Sequence, residues 1–125
     1  MPEILKFNSL EDTIAAIATP IGSGGVGIVR LSGPAALSIA DQVFEARRGK
    51  PSDFKTYTVH YGNVVRRHGE TNEVIDEALV TVMRAPKSYT CEDVVEISCH
   101  GGMMAVNVVL MLVLEQGARL AEPGE

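Results

Sequence analysis

The sequence predicts an α+β domain with the element order β-β-α-β-β-β-α, and its 125 residues fit one domain. Three observations support this fold class. Five short segments are rich in β-branched residues and end at glycine, proline or polar turn residues, as strands do. Two further segments carry apolar residues at helical spacing. Strands and helices do not alternate regularly, so a doubly wound parallel sheet is not expected.

The first half of the chain predicts two strands and a helix. The strands cover residues 12–19 and 26–31, and Pro20 with Gly22 ends the first of them. A helix is predicted from residue 35 to about residue 46, since Pro34 suits the first turn of a helix, with Ser32 or Gly33 as its cap. One face of this helix is apolar and carries Ala36, Leu37, Ala40, Val43 and Phe44.

The second half predicts three strands, over residues 57–65, 74–83 and 94–99, followed by a helix over residues 103–115. Residues 47–54 and 85–89 are expected to be loops, and residues 68–72 a turn. The last helix is apolar nearly all round and too short to cross a bilayer, which needs about twenty residues. A helix of this kind must be covered on all sides. We therefore expect a second subunit to cover part of the surface from Met103 to Leu114.

Composition narrows the classes of function. The net charge of −5 argues against a chain that holds nucleic acid by its overall field. Its basic clusters, Arg47-Arg48 with Lys50 and Arg66-Arg67-His68, are interpreted as ordinary solvated loops. Two cysteines without a C-x-x-C pair predict neither a disulfide framework nor a zinc site, and reduced thiols indicate a cytoplasmic protein. The N-terminal residues do not resemble a signal peptide.

A glycine-rich segment, Gly22-Ser23-Gly24-Gly25-Val26-Gly27, formally matches G-x-G-x-x-G. A dinucleotide-binding loop lies between a strand and a helix, whereas here a strand pattern follows the glycines. A Walker A motif is also missing from the sequence, because Pro51 follows Gly49-Lys50. The segment is interpreted as a turn between two strands, or as a loop whose bare backbone lets a flat ligand or a second chain approach closely.

Arg30 and Glu96 each place a charge inside an apolar strand segment. Such a charge is destabilising unless something pairs with it. Side chains alternate along a strand, so Arg30 shares a face with Ile28, and Glu96 shares one with Val94 and Ser98. Two interpretations stay open from the pattern alone: the two residues form a structural ion pair or face water, or they mark a ligand site. His100, at the end of a strand, is interpreted as capping a turn.

Five blocks of the sequence, in order, resemble the N-terminal domain of the MnmE/TrmE family of tRNA-modifying GTPases. They are Asp12-Thr13-Ile14-Ala15-Ala16-Ile17-Ala18-Thr19-Pro20, Gly24-Gly25-Val26-Gly27-Ile28-Val29-Arg30-Leu31-Ser32-Gly33, Tyr89-Thr90-Cys91-Glu92-Asp93-Val94-Val95-Glu96, His100-Gly101-Gly102 and Pro123-Gly124-Glu125. One position departs from the pattern, because Cys91 stands where the family more often has glycine.

The resemblance implies a folate-binding half-domain, similar to that of aminomethyltransferases, which is completed by dimerisation. It implies that 5-formyltetrahydrofolate, or a related tetrahydrofolate, binds near the subunit interface. Arg30 and Glu96 match the family's folate-contacting residues, and a further family lysine falls just beyond Pro123-Gly124-Glu125. Glu96 is expected to accept the N–H groups of the pterin edge, and Arg30 to bind a carboxylate or carbonyl of the carrier.

For the full-length protein, the resemblance implies a helical domain and a G domain that binds GTP, Mg²⁺ and K⁺. It implies modification of the wobble uridine of tRNA at C5 (U34), together with a flavin-dependent partner protein, in the cytoplasm and without a membrane. Residues 1–11 are then a leader, residues 12–118 the folate-binding and dimerisation domain, and residues 119–125 the start of a linker.

The chain alone is not expected to hydrolyse GTP. Its sequence indicates no catalytic residue for that reaction and no metal ligand. Two alternatives remain. One is a structural dimerisation scaffold whose Arg30–Glu96 pair only supports the fold. The other is a free-standing folate enzyme, for which Asp93 and His100 are the available acid or base candidates.

Overall fold

The computed structural model describes residues 12–18, 26–86, 92–123 and 125. Within these residues the chain forms seven strands, two α-helices and one 3₁₀ turn. The strands are β1 (Ile14–Ile17), β2 (Gly27–Ser32), β3 (Phe44–Ala46), β4 (Thr58–His68), β5 (Thr71–Met83), β6 (Val94–Cys99) and β7 (Arg119–Leu120). The helices are α1 (Ala36–Val43) and α2 (Gly102–Glu115), and the 3₁₀ turn is Pro51–Asp53.

All seven strands belong to one mixed sheet in the order β3-β4-β5-β6-β2-β1-β7. Neighbouring strands are antiparallel except β1 and β7, which pair in parallel. The predicted α+β class and the five predicted strands are confirmed. The two short strands β3 and β7 were not predicted. The predicted leader, residues 1–11, and most of the glycine-rich segment lie outside the described residues.

The first helix is shorter than predicted. Residues 44–46, predicted as its last turn, form β3 and pair with β4. Phe44 still donates its backbone N–H to the carbonyl of Ala40, but its φ of −133° is that of a strand. The partner strand offers Gly62 opposite Ala46, and a Cβ at Gly62 would lie 2.2 Å from the carbonyl oxygen of Glu45. This close backbone approach lets the edge strand form where the apolar pattern alone favours a helix.

The hairpin between β4 and β5 is longer than predicted. A turn over residues 68–72 was expected, whereas the pairing continues to His68 and Thr71, and only Gly69 and Glu70 form the turn. The register shifts between Val64 and Val65, as at a β-bulge. Beyond this shift the strands carry mostly polar residues, so period-two apolar alternation no longer marks them as strands.

Both helices pack against one face of the sheet, where the hydrophobic core lies. The core is formed by alternate strand residues together with the buried sides of the helices, and it includes Val29, Leu31, Val80, Val82, Val95 and Ile97. Ala35 occupies the N-cap position of α1, where Ser32 or Gly33 was predicted. The Ala35 backbone N–H donates to Thr13 Oγ1 at 2.7 Å, and Thr13 is buried.

Helix α2 buries one side, including Val106, Val109 and Val113, against the sheet. Its opposite side leaves Met103, Met104 and Met111 more than half exposed. The domain therefore does not bury this helix on all sides, and the expected cover by a second subunit stays a prediction. Neither helix in the described parts of the chain has the length and apolar character needed to cross a membrane.

Candidate functional site

The face of the sheet opposite the helices, called the open face below, carries the two charges that the sequence singled out. It is partly exposed around them, and it is buried at the row formed by Ser32, Val94 and Met83. Arg30 on β2 lies directly opposite Glu96 on β6, with Ala16 on β1 and Thr81 on β5 completing the row. The prediction that the two charges lie on separate strands is confirmed, and the register places them on one face. The helices cover only the other face, so this row remains accessible to a ligand or a second chain.

Arg30 and Glu96 form a direct ion pair. The guanidinium Nη2 and Nε lie 2.6 and 2.7 Å from Oε2 of Glu96. The Glu96 side chain is 15% exposed and the Arg30 side chain 40% exposed. Both contacts use Oε2, and no other described residue donates a hydrogen bond to Oε1. The carboxylate therefore keeps acceptor capacity while it remains bound to the arginine.

A cavity of about 490 Å³ opens beside this ion pair. Its walls come from β1 and the residues beside it, from β2, from Glu92 and from the C-terminal segment. They consist of Asp12, Ile14, Ala16, Ile17, Ala18, Arg30, Ser32, Glu92, Ala121 and Glu125. Arg30 lines the cavity and Glu96 does not. The volume falls in the range of small-molecule sites, and apolar walls with a few charged groups are typical of them.

Sequence reasoning missed the other polar groups of the cavity. Ser32 donates its hydroxyl to Oε1 of Glu92 at 3.3 Å. Strand alternation places Ser32 on the face of Arg30, two residues away, so this position could have been found from the pattern. Asp12, Glu92 and Glu125 lie far apart in the sequence, and only the fold brings their carboxylates to one cavity.

The C-terminal residues form one wall of the cavity. Arg119 pairs with Asp12, with 2.9 Å between Nε and Oδ2, and also with Glu125. The hydrogen bonds to Glu125 and Asp12 raise the pKa of Arg119, and the bond from Arg119 lowers the pKa of Glu125. Residues 119–125 were predicted to begin a linker, and part of this segment adds the parallel strand β7 to β1. The pairing of β7 fixes this wall relative to Arg30.

The two acid or base candidates have structural contacts. His100 donates from Nδ1 to the carbonyl of Glu77, 3.2 Å away, and its backbone N–H donates to Asp76. Asp93 accepts the backbone N–H of Ala85 at 2.9 Å. Neither residue lines the cavity. These contacts match the interpretation of His100 as part of a turn, and they do not support a free-standing enzyme.

The two basic clusters differ. Arg66 pairs with Glu115, and Arg67 pairs with Glu45 and donates to two carbonyl groups. Arg47 and Arg48 contact no described acceptor and lie in an exposed loop. Across the described ranges, no group of His, Cys, Asp and Glu side chains is arranged to hold a metal ion. Cys99 is a buried free thiol, while Cys91 lies outside the described residues.

The family model "GTP-binding protein TrmE N-terminus" matches residues 13–125. The chain belongs to the TrmE N-terminal family. Proteins named tRNA modification GTPase MnmE are among its relatives, at 58% identity in Carboxydothermus hydrogenoformans and 56% in Bacillus licheniformis. These matches cover 93% and 91% of this chain and 25% of each relative. The TrmE N-terminal chain described here thus spans about a quarter of the length of these relatives.

Proposed function

We propose that this chain is the one-carbon-folate-binding and homodimerisation module of a GTPase that modifies the wobble uridine of tRNA at C5. The observation that carries the proposal is the Arg30–Glu96 ion pair beside a small-molecule-sized cavity on the open face of the sheet. The proposed ligand is 5-formyltetrahydrofolate or a related tetrahydrofolate. When bound, this carrier supplies a one-carbon unit.

The donor and acceptor groups of the chain fit the two ends of such a carrier. Glu96 accepts N–H donors of the pterin edge through Oε1, while Oε2 stays bound to Arg30. Arg30 lines the cavity and binds an acidic or carbonyl group of the carrier through its planar guanidinium. The apolar side chains of Ile14 and Ile17 offer a surface for the ring system.

The remaining properties belong to the full-length protein. The names of the relatives support a tRNA-modifying GTPase. Binding of GTP, Mg²⁺ and K⁺ outside this chain belongs to the proposal through the family resemblance. A flavin-dependent partner protein and a cytoplasmic location complete this part of the proposal. The chain itself contributes carrier binding and dimerisation, not hydrolysis of GTP.

A second candidate is a dimerisation scaffold in which the Arg30–Glu96 pair only supports the fold. The short distance between the two charged groups favours it, because each charge already has a partner in the absence of any ligand. A cross-strand pair of this kind links β2 to β6 without needing a binding role. The two candidates differ in what removal of Glu96 does to ligand affinity.

The test is titration calorimetry with 5-formyltetrahydrofolate on the unmodified protein, on Glu96→Ala and on Glu77→Ala. Glu77 is the control, because it is an exposed carboxylate on the same face, four residues along β5 from the position that pairs with Glu96. Loss of a charge-assisted contact costs about 1.5–3 kcal/mol, so Glu96→Ala should bind roughly tenfold to more than a hundredfold more weakly. Equal affinity of both variants would favour the second candidate, in which the Arg30–Glu96 pair only supports the fold.

The same proteins are measured in a form extended past Glu125, because the family resemblance places a further lysine there. Sedimentation equilibrium then tests dimerisation. Met104→Glu with Met111→Glu places two charges on the exposed side of α2 and should give a monomer. Leu79→Glu, on the open face, is the comparison. A dimer that survives the first change and is lost with the second would move the interface from α2 to the open face.

A further inference from the structure

The cations of the chain fall into two groups. Nine Lys and Arg residues lie in the described ranges. Five of them, Arg30, Arg66, Arg67, Arg84 and Arg119, are bound to carboxylates or backbone carbonyls. The other four are Arg47, Arg48, Lys50 and Lys55. All four are exposed, and their side chains have no hydrogen bond or ion pair to any described residue. We call residues 47–55 the basic loop.

The basic loop is held in place by its backbone. Arg84 donates to the carbonyl groups of Phe54 and Ser52, at 2.8 and 2.6 Å. The backbone N–H of Ser52 donates to Oδ1 of Asp41 at 2.9 Å. Pro51 and Phe54 are buried. The loop is therefore anchored at its centre, while its four cations extend into solvent, so binding a partner does not first require the backbone to order.

An open cleft of about 470 Å³ adjoins these cations and is lined in part by Arg47, Arg48, His60 and Tyr61. The Tyr61 ring is exposed, and its residue is 57% accessible. The interaction with the Glu77 side chain is the main cause that raises the pKa of Tyr61. His60 stacks on Phe54 with 3.5 Å between ring centroids. The cleft thus combines free guanidinium groups with an exposed aromatic ring.

We propose that the basic loop and the Tyr61 cleft form a binding site for an unpaired segment of RNA. The cations bind phosphate groups, and a base stacks on the Tyr61 ring, the combination found in proteins that bind single-stranded nucleic acid. The site itself rests on the charges and the cleft. Only the choice of RNA as the polyanion rests on the proposed role in tRNA modification.

The charge distribution favours a polyanion at this end of the molecule. The basic loop contains four cations and one carboxylate, Asp53, for a net charge of +3, whereas the whole chain carries −5. An acidic protein with one positive loop directs a polyanion to that loop and repels it elsewhere. The folate cavity lies toward the opposite edge of the sheet, on β1 and β2, whereas Tyr61 lies on β4. The two ligands therefore do not compete for one surface.

The test is fluorescence anisotropy with a labelled RNA hairpin that has an unpaired loop, measured over a range of salt concentrations. Arg47→Ala with Arg48→Ala should weaken binding tenfold or more. The slope of log affinity against log salt is negative, and its magnitude should fall by roughly 1.4, as expected for two lost contacts to single-stranded phosphates. Arg66→Ala with Arg67→Ala is the matched control, since it removes two adjacent arginines that already have partners. The control should stay within about threefold of the unmodified protein.

Tyr61→Phe and Tyr61→Ala test the stacking. The phenylalanine variant should bind the hairpin as the unmodified protein does, and the alanine variant about tenfold more weakly with an unchanged salt slope. A fully paired RNA duplex should bind more weakly than the hairpin. Equal weakening by the two arginine pairs, or equal binding of hairpin, duplex and heparin, would overturn the proposal. Calorimetry with 5-formyltetrahydrofolate on the same variants should give unchanged affinity, so failure of the RNA site and failure of folate binding are distinguishable.

Discussion

The covered and open faces of the sheet are made from alternate residues of the same strands, yet their composition differs sharply. On β6, Val95, Ile97 and Cys99 point to the helices and are fully buried, whereas Glu96 and Ser98 between them are partly exposed. On β2, Val29 and Leu31 are buried and Arg30 is not. Because the helices supply enough apolar cover on one side, the other face can carry charges and remain available for binding.

The largest effect that this comparison predicts is on stability. Ile97→Ala removes a fully buried side chain from the covered face and should lower the free energy of unfolding by about 2–5 kcal/mol. Leu79→Ala, at a position 37% exposed on the open face, should cost about 1 kcal/mol or less. Urea denaturation of both variants measures the difference. Equal losses would mean that a partner covers the open face in solution.

An intermediate loss of stability is expected on substitution of Asp76, which lies where the covered face meets helix α2. Asp76 Oδ2 accepts the backbone N–H groups of His100 and Gly101, at 2.7 and 3.0 Å, just before the helix begins. These contacts hold the turn that precedes the helix, and they place a negative charge near the positive end of the helix dipole. Asp76→Ala should lower stability by about 1–2 kcal/mol, and Glu77→Ala, next to it on the other face, by less than about 0.5 kcal/mol.

Thermal unfolding followed by circular dichroism checks this second prediction. Asp76→Asn should recover part of the loss, since its side-chain carbonyl still accepts a hydrogen bond but carries no charge. If Asp76→Ala and Glu77→Ala unfold at the same temperature, the two hydrogen bonds from the helix start do not contribute to stability.

The sequence predicts the covered face better than the site. Alternation of Val, Ile and Leu marks the five long strands, and the same alternation puts Arg30 and Glu96 on the opposite face. The edge strand β3 depends on Gly62, which is 16 residues beyond Ala46 in the sequence. The cavity depends on Asp12, Glu92 and Glu125, which meet only through the pairing of β2 with β6 and β1 and of β1 with β7. A local pattern of residues in the sequence does not indicate such long-range contacts.

The sequence also does not indicate that the four cationic side chains of the basic loop lack a partner among the described residues. From the sequence, both arginine pairs, Arg47-Arg48 and Arg66-Arg67, are interpreted as solvated loops. Their composition gives no reason to distinguish them. The long hairpin brings Arg66 and Arg67 beside carboxylates of α2 and β3, while the backbone anchors of the basic loop direct Arg47 and Arg48 into solvent. The distinction between a satisfied and a free cation is a property of tertiary structure.

The smallest predicted effect concerns the thiol of Cys99 on the covered face. Burial, with a smaller contribution from the charge of Asp76, raises the pKa of Cys99 from 9.0 to about 12. In the unfolded chain the thiol ionises near its ordinary pKa, so above pH 9 the folded state holds a proton that the unfolded state has lost. The contribution of this group to stability is therefore complete below pH 9 and is lost as the pH rises toward 12.

Paired proteins isolate this contribution from the other groups that titrate in the same range. With Cys91→Ser as the background, the free energy of unfolding should fall more steeply between pH 9 and 10.5 when Cys99 is present than when Cys99→Ala is added. At pH 8 the folded Cys91→Ser protein should react slowly with a thiol reagent and rapidly in urea. The opposite outcome is that the free energies of unfolding of the two proteins fall in parallel with pH and that the folded protein is labelled rapidly. It would show that the covered face opens readily and is less protected from solvent than its burial indicates.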